Sequence, residues 1–118
     1  MDSSSLTTDE VAEHLDLSAS TVRRYKAERK LYSYRANGRL LFPVWQFIQR
    51  GRRRLPALDR VLAALPVGLH PQAVAGFFQT PKPDLVITGE AVSAAAWLES
   101  GAPVEPVLAI ADALAAGY

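Results

Sequence analysis

The chain has 118 residues, 49% of them hydrophobic and 21% charged, so it can bury a core and is no disordered polyelectrolyte. It contains no cysteine, which excludes disulfides, thiolate metal sites and thiol nucleophiles. The net charge of +1 conceals a segregation: residues 1–19 carry −5, residues 20–54 carry +10 and residues 55–118 carry −4. A solvated helix face usually mixes both signs, so an excess of this size in so short a stretch points to a polyanion such as nucleic acid. The polar opening residues and the shortness of the weakly charged run at 91–98 argue against a signal peptide or a membrane span. A soluble, cytoplasmic and nucleoid-associated protein with no membrane partner is expected.

Taken in chain order, the first predicted helix begins with complete local signals. Thr7 is placed as N-cap, Glu10 closes a capping box, and Leu6 with Val11 forms a hydrophobic staple. Val11, Ala12 and Leu15 then supply one apolar face. The pattern breaks at Asp16-Leu17-Ser18 and restarts with Ser18 as a second N-cap. Val22 and Tyr25 point inward from this second helix, leaving Ser20, Thr21, Arg23, Arg24 and Lys26 on the other faces. Two short helices joined by a tight turn predict a helix-turn-helix. Small polar residues at the start of the second helix let it approach base edges, and the cations beyond them neutralise phosphates.

After Lys30 the period changes to alternation. The runs at 31–35 and 39–42 flank Ala36-Asn37-Gly38, and Asn-Gly between apolar runs is a strong hairpin signal because both residues tolerate positive φ. The tip carries Arg35, Asn37 and Arg39, which makes it a basic wing suited to the DNA backbone or minor groove. Residues 44–49 read as a helix with Trp45, Phe47 and Ile48 as core candidates. The basic run at 50–54 reads equally as a further phosphate contact or as a solvated linker, and the charge reversal there marks a boundary.

The remainder reads as mostly helical. Pro56 opens a helix with Leu58, Val61, Leu62 and Leu65 aligned, and Pro71 opens another with Val74, Phe77 and Phe78 on one side. Residues 85–88 form a short extended run, Ser93 caps a helix holding Trp97 and Leu98, and Pro106 starts a last helix. The expected fold is mainly α: a winged helix-turn-helix domain with a short β-hairpin wing at 1–54, then a helical toxin-binding or dimerisation domain at 55–118. His14 and His70 read as structural residues, and no His/Asp/Glu cluster has metal spacing. Asp84 and Glu90 read as turn and strand-end residues, not a catalytic pair. No catalytic residue, metal or cofactor is expected.

The run Leu6-Thr7-Thr8-Asp9-Glu10-Val11-Ala12, then Leu17-Ser18-Ala19-Ser20-Thr21-Val22-Arg23-Arg24-Tyr25, the wing and Phe42-Pro43 resembles the MerR/excisionase winged-helix family over residues 5–49. The resemblance implies that the helix from Ser18 docks in a major groove of double-stranded DNA, with residues 35–39 as wing, commonly in dimers or cooperative arrays. DNA contacts are therefore expected at Ser18, Ser20, Thr21, Arg23, Arg24, Lys26, Arg35, Asn37 and Arg39.

Phe77-Phe78-Gln79-Thr80-Pro81-Lys82-Pro83-Asp84-Leu85, Trp97-Leu98-Glu99-Ser100-Gly101 and Val104-Glu105-Pro106-Val107-Leu108 resemble the toxin-binding domain of Xre/MbcA/ParS antitoxins. That resemblance implies an antitoxin-like repressor that neutralises a RES-domain toxin by plugging its cleft. It assigns the plug to Ala115, Ala116, Gly117 and Tyr118, and puts Trp97 and Leu98 in the domain core. The same architecture is also similar to DNA-binding regulators without a toxin, whose C-terminal half forms a homodimer. An excisionase-like architectural role is a third reading.

Overall fold

A computed structural model describes residues 4–117. Strand β1 (Ser5–Thr7) leads into α1 (Thr8–Leu15) and α2 (Ala19–Ala27). The predicted capping box is present: Thr7 Oγ1 accepts from the Glu10 N–H at 3.3 Å, and Glu10 Oε1 accepts from the Thr7 N–H at 2.8 Å. Helix α1 stops where Asp16 turns left-handed at φ 56°. Ser18 then caps α2 by accepting from the Thr21 N–H at 3.1 Å. Val11 and Val22 are fully buried and hold the two helices together, so the apolar spacing read from sequence becomes the seam of the helix-turn-helix.

Strands β2 (Tyr34–Ala36) and β3 (Arg39–Pro43) form the wing. Asn37 at φ 54° and Gly38 at φ 77° make its turn, the pair of positive φ values that a two-residue hairpin needs. Strand β3 is central, with β2 on one side and β1 on the other, in the order β1-β3-β2. Leu6 pairs with Phe42 and Thr7 with Leu41, so the wing is anchored at the entry of α1.

The helix expected over 44–49 is not there. A 3-10 turn at Val44–Gln46 passes directly into β4 (Phe47–Ile48), which pairs antiparallel with β5 (Arg53–Arg54). The reason is the environment of Gln46, which is fully buried. Its Oε1 accepts from the Tyr32 N–H at 2.8 Å, and its Nε2 donates to the carbonyls of Tyr32 at 2.8 Å and Pro43 at 3.0 Å. These bonds fix an extended crossing that a regular helix could not make. The Leu55 N–H also donates to the Gln46 carbonyl at 2.7 Å, so the basic run at 50–54 is a pinned hairpin and not a loose linker.

Beyond it lie α3 (Leu58–Ala64), α4 (Pro71–Gln79), the hairpin β6 (Lys82–Ile87) and β7 (Glu90–Val92), α5 (Ala94–Glu99) and α6 (Glu105–Ala116). Pro56 does not open α3; a left-handed Ala57 at φ 60° does. Pro71 does open α4, with His70 Nδ1 capping by accepting from the Gln72 N–H at 3.0 Å. Ser93 caps α5 as expected. The extended run at 85–88 is half of a hairpin that sequence alternation had not paired. Three small antiparallel sheets accompany the helices among the described residues, so the fold is α/β in character and less purely helical than expected.

One apolar cluster runs through the molecule, from Val11, Val22 and Phe42 to Leu62, Phe78, Leu98 and Val107. Trp45 stacks on Phe78 at 4.2 Å between ring centroids and tilts against Tyr32 at 5.9 Å, while Arg29 Nη2 donates to the Leu62 carbonyl at 2.7 Å. Burying a side chain such as Phe42 or Phe78 contributes about 1.5–3 kcal/mol. The helix-turn-helix is thus held in a set orientation against the second half.

Candidate nucleic-acid interface

Helix α2 turns ~100° per residue, and Val22 and Tyr25 define its inner side. The opposite stripe is Ser20, Arg23, Arg24 and Ala27, all exposed. Thr21 is half-buried, and its Oγ1 accepts from the Ser18 hydroxyl at 2.8 Å. Ser18 and Ser20 hydroxyls lie 3.1 Å apart, so the polar start of α2 is knitted together as well as solvent-facing. Lys26 is exposed but falls off the stripe, flanking a notch with Arg29, Leu62 and Leu69. The expected α2 residues therefore divide: Ser20, Arg23 and Arg24 share one face, and Lys26 looks sideways toward α3.

At the wing, Arg35, Asn37 and Arg39 are all exposed. Arg35 pairs across the strands with Leu40, and Arg39 with Ala36. Directly paired residues share a face, so the two arginines lie on opposite sides of the hairpin. Arg39 lies near the first turn of α1, where its charge joins the two Thr7 hydrogen bonds and His14 in pulling the Glu10 carboxyl below the usual range. The Thr7 bonds are the larger cause.

The ring of Tyr25 is a hub that sequence reading missed. The Arg54 guanidinium lies 4.7 Å from its centroid, the Lys30 ammonium 5.4 Å and the Arg24 guanidinium 5.7 Å. Arg54 also donates to the Lys30 carbonyl at 3.2 Å. A signal existed in the aromatic residue set among basic ones, but only the fold brings residue 54 back to residue 25. Among the described residues one ion pair forms, Lys30 with Glu28 at 3.3 Å. The exposed arginines of α2 and the wing therefore carry charge that no carboxylate within the described residues offsets at contact distance.

The residues assigned to a protein partner lie far along the chain. Ala111 is the last buried residue of α6, and Ala115, Ala116 and Gly117 are exposed at its end. Tyr118 lies outside the described residues. Leu98 is buried as expected, whereas Trp97 is only partly covered and donates its indole N–H to the Pro103 carbonyl at 2.6 Å. Asp84 and Glu90 are both exposed, and no group of three or more His, Asp or Glu among the described residues could hold a metal ion. No helix among these residues is long and apolar enough to cross a membrane.

No curated protein matches the sequence. The fold is shared with the NMR structure of Rv2175c, at 24% identity and a TM-score of 0.69, over 98% of this chain and 84% of that one. Residues 5–56 match the family model described as a helix-turn-helix domain, the segment that holds α1, α2, the wing and the β4–β5 hairpin.

Proposed function

We propose that this protein is a transcriptional regulator that binds double-stranded DNA through the outer stripe of α2 and the β2–β3 wing. The observation that carries the reading is the set of exposed arginines within the matched helix-turn-helix segment, Arg23 and Arg24 on the outer stripe of α2 and Arg35 and Arg39 on the two faces of the wing. Ser20 suits a base edge, Thr21 holds the capped start of α2 through Ser18, and the arginines suit phosphates or a guanine edge. Binding to a mixed-sequence duplex, titrated over salt concentration, tests it. Arg24→Ala and Arg39→Ala should each lower the slope of log affinity against log salt by about 0.9 per lost phosphate contact. Unchanged slopes in both variants would remove these residues from the interface.

The second half serves a protein partner in this proposal, namely a RES-type toxin engaged by the exposed end of α6. Supporting it is the exposure of Ala115, Ala116 and Gly117 beyond the last buried residue of that helix. Removal of residues 115–118 should leave unfolding temperature and DNA binding unchanged while abolishing capture of a RES-domain protein encoded beside it. A full-length protein that captures no such neighbour, and instead sediments as a dimer disrupted by that removal, would replace the toxin with a second copy of this chain.

A further inference from the structure

The basic run at 50–54 belongs to neither the α2 stripe nor the wing. Arg50 is at the tip of the β4–β5 hairpin, where Gln49, Arg50 and Gly51 are all left-handed, at φ 53°, 60° and 87°. Strand alternation sends Arg54 inward to Tyr25 and the Lys30 carbonyl, and Arg53 outward. Arg50, Arg52 and Arg53 are exposed.

The hairpin is held close to the helix-turn-helix. A Cβ on Gly51 would lie 2.7 Å from His14 Nδ1, so the tip backbone rests on the last turn of α1. Arg52 and Arg53 border an open notch of about 370 Å³ whose other walls include Leu15 and Leu17, at the turn between α1 and α2. Asp59 is the acid lining that notch, and it forms no ion pair with the arginines.

The wing stands at the first turn of α1 and this hairpin at its last. Basic hairpins thus adjoin both ends of α1 and flank the helix-turn-helix from two sides.

We infer that the β4–β5 hairpin is a second wing, with Arg52 and Arg53 binding backbone phosphates on the far side of the groove from the β2–β3 wing. This rests on the DNA-binding reading. The contacts carry no base information, so the hairpin adds affinity and register without sequence preference.

The test is fluorescence anisotropy of the full chain on a labelled mixed-sequence duplex three helical turns long, titrated over potassium chloride. The double variant Arg52→Gln/Arg53→Gln should lower the salt slope by about 1.8, two contacts at about 0.9 each, while Arg52→Lys/Arg53→Lys retains it. Both are surface changes, and an unchanged circular dichroism melt verifies the fold. A slope equal to the unaltered protein's in the Gln variant, with Arg24→Ala still reducing it, would overturn the second wing alone. Absence of salt-dependent binding by the unaltered protein would overturn the DNA-binding reading and the second wing together.

Discussion

Gln46→Ala should be among the most destabilising single changes to this chain, although it removes a polar side chain. Gln46 is fully buried and makes three hydrogen bonds, two to Tyr32 and one to Pro43. Truncation strands the Tyr32 N–H and carbonyl and weakens the Pro43 carbonyl's pairing. Each buried group left unpaired costs about 1–3 kcal/mol, and partial entry of water offsets some of that. The sum is roughly 3–5 kcal/mol against a total stability of about 5–15 kcal/mol. For a chain of this length the unfolding midpoint should fall by roughly 10–20 °C. Urea titration and thermal melts followed by circular dichroism measure it directly. Tyr32 precedes the β2–β3 wing and Pro43 precedes β4, so the same change should loosen both hairpins and weaken DNA binding below the melting range. A loss under ~1 kcal/mol would refute the reasoning, since it would mean that the three bonds are replaced by water at no net cost.

Gly51→Ala places a methyl group against His14 and forces a left-handed alanine, so it should cost about 1–3 kcal/mol in urea unfolding. Adding His14→Ala should recover the steric part and leave the backbone part, and a double-mutant cycle showing no coupling would contradict the contact. Trp45 Nε1–H is buried with no acceptor among the described residues, so Trp45→Phe should destabilise far less than Trp45→Ala, which also loses the stack on Phe78. Equal losses would show that packing at that indole decides nothing. The Thr7–Glu10 box lowers the Glu10 pKa in the folded chain, so its contribution is present above the unfolded carboxylate value and disappears as pH falls through the lower folded value. In a pH series of melts, Glu10→Gln should remove that acid-side dependence, and a series parallel to the unaltered protein's would exclude Glu10 as its source.

The local features of this chain were legible because they depend on neighbours in sequence. The Thr7 and Ser18 caps, the Asn37-Gly38 turn and the Pro71 and Ser93 helix starts each need only a few residues, and each formed where expected. Charge segregation was equally legible, with the net +10 of residues 20–54 readable from composition alone. The helix expected over 44–49 failed for a nonlocal reason. Its apolar residues fit a helical period, but burial of Gln46 against Tyr32 and Pro43 favours an extended crossing. Pro43 is a near neighbour, but Tyr32 lies fourteen positions before Gln46, and that half of the environment is not readable locally.

Sequence by itself determined that a helix-turn-helix with a basic wing opens the chain, because caps, turns and charge act over a few bonds. Only the tertiary structure decided which cations share a face. Helical rotation separated Lys26 from Arg23 and Arg24, strand pairing split Arg35 from Arg39, and the packing of Gly51 on His14 carried residues 50–54 back to the helices they follow by more than twenty positions. Long-range packing chooses among local conformations of similar free energy, and that choice depends on partners distant in sequence.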